Sequence, residues 1–226
     1  VIRLLDRYLV VYLADAAGHG ISAAVLAVLF KHRVPVIADV DRTPSEPSDA
    51  LEAVNRALLG ECSAPGLFVT AAYCLLDTRT GRLKVGSAGH PPLLLCRAGG
   101  TIERIEHTGP ALGISPKAQF AQMETDLRPG DRLLLYTDGL LESDAPETGL
   151  SRGDVEALLA DRGRTGEGVL SAALDDSDAR RDGFQADDIT AVLLTAGRGA
   201  STVDNGRPVR RHQRQREALR PRGGEI

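Results

Sequence analysis

Three aspartates, Asp15, Asp138 and Asp187, each stand at the rim of a strongly apolar run of strand length. Asp15 closes the run 8–14, Asp138 closes 132–137, and Asp187, with Asp188 beside it, opens 189–195. A charge at the end of a buried strand costs several kcal/mol unless something compensates it. A bound cation is one such compensation. Asp is short and stiff compared with Glu, so it holds a hard ion close to the backbone. Oxygen donors without a His or Cys cluster suit Mg2+ or Mn2+ rather than Zn2+. Two such ions about 3.5–4 Å apart can clamp a phosphoryl group for in-line attack. Spacing alone leaves a plainer reading open at each position. Asp15 and Asp138 are also suited to glycine-flanked turns, and Asp187-Asp188 to a solvated loop end.

The elements that would carry these carboxylates follow from pattern. Residues 8–14 read as a buried strand, partly β-branched and aromatic. The glycine-bracketed turn Asp15-Ala16-Ala17-Gly18-His19-Gly20 leads into residues 21–30, Ala- and Leu-rich and apolar on every side, which predicts a helix buried on nearly all faces. Prolines at 35, 44 and 47 make 34–48 a connection. Apolar residues at 51, 54 and 58 give an amphipathic helix over 49–59, with Ser48 placed as its N-cap and Gly60 after its end. Strands are predicted over 67–76 and 82–88 as a hairpin, then over 93–96, 101–105, 119–127, 132–137 and 189–195. Two further helices are predicted around 152–161 and 166–177. Strands in hairpin order broken by two pairs of helices argue for packed sheets with helices outside, an α+β arrangement, and against a doubly wound parallel sheet.

The chain of 226 residues suffices for one domain with a substantial core. No apolar run reaches about 18 residues, so no transmembrane helix is expected. Cys62, Cys74 and Cys96 lack metal-ligand spacing, and reduced, mostly buried thiols in a cytoplasmic setting are the expectation. From Arg198 onward eight Arg face Asp204, Glu217 and Glu225, a local +5; with −4 overall, residues 1–197 carry −9. The tail, Gly-, Pro-, Arg- and Gln-rich, is read as a basic disordered segment over 197–226, behind one folded domain over 1–196. An acidic domain and a tail without aromatic interleaving give no expectation of nucleic-acid binding.

Five stretches, in order, resemble one family. They are Asp15-Ala16-Ala17-Gly18-His19-Gly20-Ile21-Ser22-Ala23-Ala24; Phe68-Val69-Thr70-Ala71; Ala88-Gly89-His90-Pro91-Pro92; Pro129-Gly130-Asp131 with Tyr136-Thr137-Asp138-Gly139-Leu140-Leu141-Glu142; and Asp187-Asp188-Ile189-Thr190. Together they resemble the SpoIIE/RsbU-type serine/threonine phosphatases, the bacterial branch of the protein phosphatase 2C (PPM) superfamily. The resemblance implies a four-layer αββα sandwich with a site for two divalent cations, Mn2+ or Mg2+, at one edge of the sheets. It implies that Asp15 bridges both ions and that Ala16 offers its backbone carbonyl. Asp138 and Asp187 would be further ligands, and Asp188 takes the family's next position. The implied nucleophile is a metal-bound hydroxide, so no Ser or Cys side chain is needed. Structural roles are assigned to His19 and His90, and the sharp strand-to-helix turn to Gly18 and Gly20.

The implied substrate is a phosphorylated regulatory protein, a STAS-type anti-anti-sigma factor, in sigma-factor control, with an upstream sensory or receiver domain common among relatives. The family's acidic Gly-Gly-Asp-Tyr/Phe-Tyr-Asp strand is not contained in the sequence. The expectation is therefore a catalytic domain missing its first N-terminal strand, with reduced metal affinity and stability. Ala14, Ala16, Ala17 and Ser87 replace the family's usual Gly, Val, Ser and Asn without removing a proposed side-chain ligand. The alternative is a catalytically impaired phosphatase-like module that sequesters a signalling partner.

Overall fold

The computed structural model describes residues 2–5, 7–18, 20–36, 44–62, 66–106, 108–141, 150–180 and 188–197. Among the described residues nine strands form two antiparallel sheets. The first runs in the order β1 (Ile2–Leu5), β2 (Tyr8–Ala16), β3 (Val69–Asp77), β4 (Arg82–Ala88), β7 (Met123–Asp126). The second runs β6 (Ile102–Ile105), β5 (Leu93–Cys96), β8 (Arg132–Tyr136), β9 (Ala191–Thr195). Helices α1 (Ile21–Arg33) and α2 (Pro47–Leu58) lie on the first sheet, and α3 (Arg152–Ala160) and α4 (Gly166–Arg180) on the second.

Three apolar clusters separate these four layers, and strand alternation assigns each side chain to one of them. Val10 and Tyr12 of β2 point to α1 and α2 while Val11 and Leu13 point between the sheets. In β8, Leu133 and Leu135 face the inter-sheet core and Leu134 and Tyr136 face the second helix layer. A strand covered on both faces must be apolar at consecutive positions, which is why β2, β5 and β8 stand out in the sequence as unbroken runs.

Helix α1 differs from expectation. Only Leu26 and Phe30 are buried, and Ile21 (85% exposed), Val25 and Val28 face outward. An apolar helix without a 3.6-residue period carries no signal of which side is covered; here α1 is an outermost layer and packs through one stripe. Helix α2 begins at Pro47 with Glu46 as N-cap, not at Ser48. Proline lacks the N–H that a first helical residue leaves unpaired and has the right φ, so it starts the helix two residues earlier. Strand β7 is shorter than the predicted 119–127, and β1, too short to show a period, takes the sheet edge beside β2. Cys74 and Cys96 are buried and Cys62 is half-buried, all as free thiols.

Among the described residues no helix is long and apolar enough to cross a membrane. The basic tail from Arg198 lies outside the described residues.

Candidate active site

Strand β2 continues through Asp15 to Ala16, so the half-buried carboxylate stands inside the sheet's last rungs. Its register partner on β3 is Thr70, and Ala16 pairs with Val69. Beyond them the Ala17 N–H donates to the Phe68 carbonyl (2.9 Å), and the chain turns through Gly18 (φ 97°) into α1, whose N-cap is Gly20 (φ 77°). These left-handed conformations favour glycine, which explains the bracketing residues without invoking a ligand.

The second carboxylate sits at the matching end of β8. The chain leaves β8 at Tyr136, passes Thr137 and enters a short 3-10 turn over Asp138–Leu140. The Gly139 N–H donates to Asp138 Oδ1 (3.0 Å), which fixes one carboxylate oxygen. Thr137 Oγ1 donates to the Asp188 carbonyl (3.1 Å) and accepts from the Thr190 N–H (2.9 Å), while the Thr137 N–H donates to the Thr190 carbonyl (2.9 Å). Thr137 thereby holds the start of the last strand beside Asp138 and brings Asp188 to the same rim.

His90 joins the two halves. The chain leaves the first sheet at Ala88 and enters the second at Leu93, so 89–92 is the crossing. His90 is 2% exposed, and its Nδ1 shares a hydrogen bond with Thr70 Oγ1 (3.1 Å), opposite Asp15. Burial pushes the ring down to about 4, only partly opposed by the Tyr136 backbone. The imidazole is therefore neutral at pH 7. Nε2 makes no hydrogen bond of good geometry among the described residues, although the ring lies against that backbone.

Asp15, Ala16 and Asp138 are thus placed at one end of the two sheets, linked through Thr70, His90 and the end of β8. Asp187, the third expected ligand, and His19 lie outside the described residues. Among the described residues no group of three His, Cys, Asp or Glu side chains is close enough to hold a metal ion. The two carboxylates and one backbone carbonyl are all oxygen donors and fit a hard divalent cation in chemistry. Thr70, Thr137 and Tyr136 were not singled out for roles at the site by the sequence. Their signal was adjacency, since each stands within two residues of a motif aspartate or opposite one.

The Pro129-Gly130-Asp131 stretch serves the framework. Buried Asp131 accepts from the N–H groups of Ala98 (2.8 Å) and Arg128 (3.0 Å) and pairs with Arg97 (3.0 Å). A hollow of about 200 Å3 at the opposite end of the first sheet is lined by Tyr8 and Asp77, the far ends of β2 and β3. Neither Asp15 nor Asp138 lines it.

A family model described as Stage II sporulation protein E (SpoIIE) matches residues 6–197. The chain is 27% identical over 184 residues to Phosphoserine phosphatase RsbU of Bacillus subtilis, covering 80% of this chain and 54% of that protein. It is 26% identical over 164 residues to Protein IcfG of Synechocystis, covering 62% of this chain and 26% of that protein. The chain thus spans from about a quarter to about half of these relatives. Its fold is similar to that of the SiaA-PP2C domain of Pseudomonas aeruginosa, with TM-score 0.71 and 21% identity over 86% of this chain and 78% of that one. It is similar also to the RsbU and RsbW domains of Rv1364c from Mycobacterium tuberculosis, with TM-score 0.65 and 26% identity over 87% of this chain and 55% of that one.

Proposed function

Because the chain belongs to the SpoIIE family and has the PP2C-type fold, we propose that it hydrolyses phosphoserine or phosphothreonine on a regulatory protein in a reaction that requires divalent cations. The observation that carries this reading is the placement of Asp15 and Asp138 at the same end of facing sheets. Residues 1–196 form the catalytic unit. Asp15, the Ala16 carbonyl, Asp138 and Asp187 would hold two ions, Mn2+ or Mg2+. When bound, such ions supply Lewis acidity toward phosphoryl oxygens and a water acidic near neutral pH.

The protein's own groups then bind and orient. Asp15 is held by the β2–β3 ladder, and Asp138 keeps one oxygen on the Gly139 N–H. His90 is buried, neutral at pH 7 and hydrogen-bonded to Thr70 Oγ1, which suits a framework role. The relative named Phosphoserine phosphatase RsbU supports a phosphoserine substrate. By that kinship the substrate is a STAS-type anti-anti-sigma protein. The test is phosphate release from a phosphoserine-bearing STAS protein. Activity should vanish on chelation with EDTA and return with added Mn2+; turnover undiminished by EDTA would contradict the proposal.

A further inference from the structure

Taking Asp15 and Asp138 as the cation ligands, we infer that the hydrogen-bonded pair Thr70–His90 is the positioning element that sets the distance between the two carboxylates across the sheets. The pair sits where the chain crosses from one sheet to the other. On one side, Thr70 is the rung opposite Asp15. On the other, the imidazole lies against the backbone of Tyr136, two residues ahead of Asp138. Its place is fixed from behind. Gly89 has φ 61°, its N–H donates to the Gly109 carbonyl (2.9 Å), and a Cβ there would meet Ala111 N at 2.9 Å.

Leu13, Ala72, Leu93 and Leu135 pack between the sheets by apolar contact, and the polar links from Arg97 to the Asp126 carbonyl (2.6 Å) and Thr125 Oγ1 (3.0 Å) lie at the opposite end from the carboxylates. Apolar contact is non-directional and allows layers to slide by small amounts. The Thr70–His90 hydrogen bond is directional and weakens steeply with misalignment, so it fixes the buried ring, and the crossing that carries it, against β3. Ligands for a hard cation need placement within about 0.5 Å, which packing alone supplies poorly. A residue that touches no ligand can therefore govern ion affinity by holding the backbones that carry the ligands.

Isothermal titration of Mn2+ into the chain and its variants tests this. Thr70→Val keeps the strand and removes only the hydroxyl, and His90→Ala removes the ring. Each should raise the Mn2+ Kd by about tenfold or more. The double variant should match His90→Ala within about twofold, since both break one link. Val155→Ala, in the α3 layer on the far side of the second sheet, should lose stability and keep the wild-type Kd. If His90→Ala does not fold, Thr70→Val decides. Wild-type binding that both variants leave unchanged would overturn the inference alone. No Mn2+ binding by the wild type would overturn the ligand reading and this inference with it.

Discussion

Asp138→Asn should leave the chain folded and lower Mn2+-dependent phosphoserine hydrolysis by at least about 10^3-fold, equivalent to about 4 kcal/mol of transition-state stabilisation. The amide matches the carboxylate in volume, and its oxygen can still accept from the Gly139 N–H, so the 3-10 turn over Asp138–Leu140 should persist. What is lost is the negative charge. A hard cation at this rim would be balanced by few carboxylates, and removing one would weaken both ion binding and charge neutralisation on the phosphoryl group. Asp15→Asn should act equally, because β2 carries that carboxylate into the same rim. Circular dichroism and thermal melting establish folding, and steady-state phosphate release gives the rate. Retained turnover in both folded variants would remove these residues from the chemistry.

The largest stability effect is expected at Asp131. Asp131→Ala should cost about 3–5 kcal/mol, since it breaks an ion pair whose carboxylate is buried and leaves two backbone N–H donors without their acceptor. Three groups would lose their acceptor: the Arg97 guanidinium and the N–H groups of Ala98 and Arg128. Arg97 would keep Glu103 (2.7 Å), which is half-exposed and no substitute for a buried carboxylate. Burial alone would push the Asp131 carboxyl up, but the two N–H donors and Arg97 outweigh it and hold the group below its ordinary value of 3.8. The sign follows from proton uptake. The unfolded chain binds this proton first as pH falls, so the stabilisation is complete above about pH 3.8 and is lost as pH passes through the lower folded value. Urea melts should therefore show a wide gap between variant and wild type at pH 7 that narrows in strong acid. An equal gap at both pH values would contradict this account.

Much of the architecture was legible because central strands are covered on both faces. β2, β5 and β8 could be located from unbroken apolar runs, and the β3–β4 hairpin from its turn. Helix α1 was legible as a helix but not in its burial, since a uniformly apolar sequence does not say which stripe meets the sheet. β1 is four residues long, too few for any period to register.

At the site, the carboxylates Asp15 and Asp138 were visible because each abuts a buried strand. The hydrogen bonds that align those strands were not. Thr70 to His90 spans 20 residues and Thr137 to Asp188 spans 51, so neither leaves a local pattern. Asp138 also looked like a strand terminus, whereas the chain has already turned into a 3-10 helix there. Such links arise when the sheets pack and are properties of the assembled layers.

The most direct test of the central claim is a crystal of the chain soaked in Mn2+, with anomalous difference density measured at the manganese edge. The account predicts peaks within about 2.5 Å of carboxylate oxygens from both Asp15 and Asp138. A soaked crystal with no peak there, or with manganese only at the opposite end of the sheets beside Tyr8 and Asp77, would contradict it.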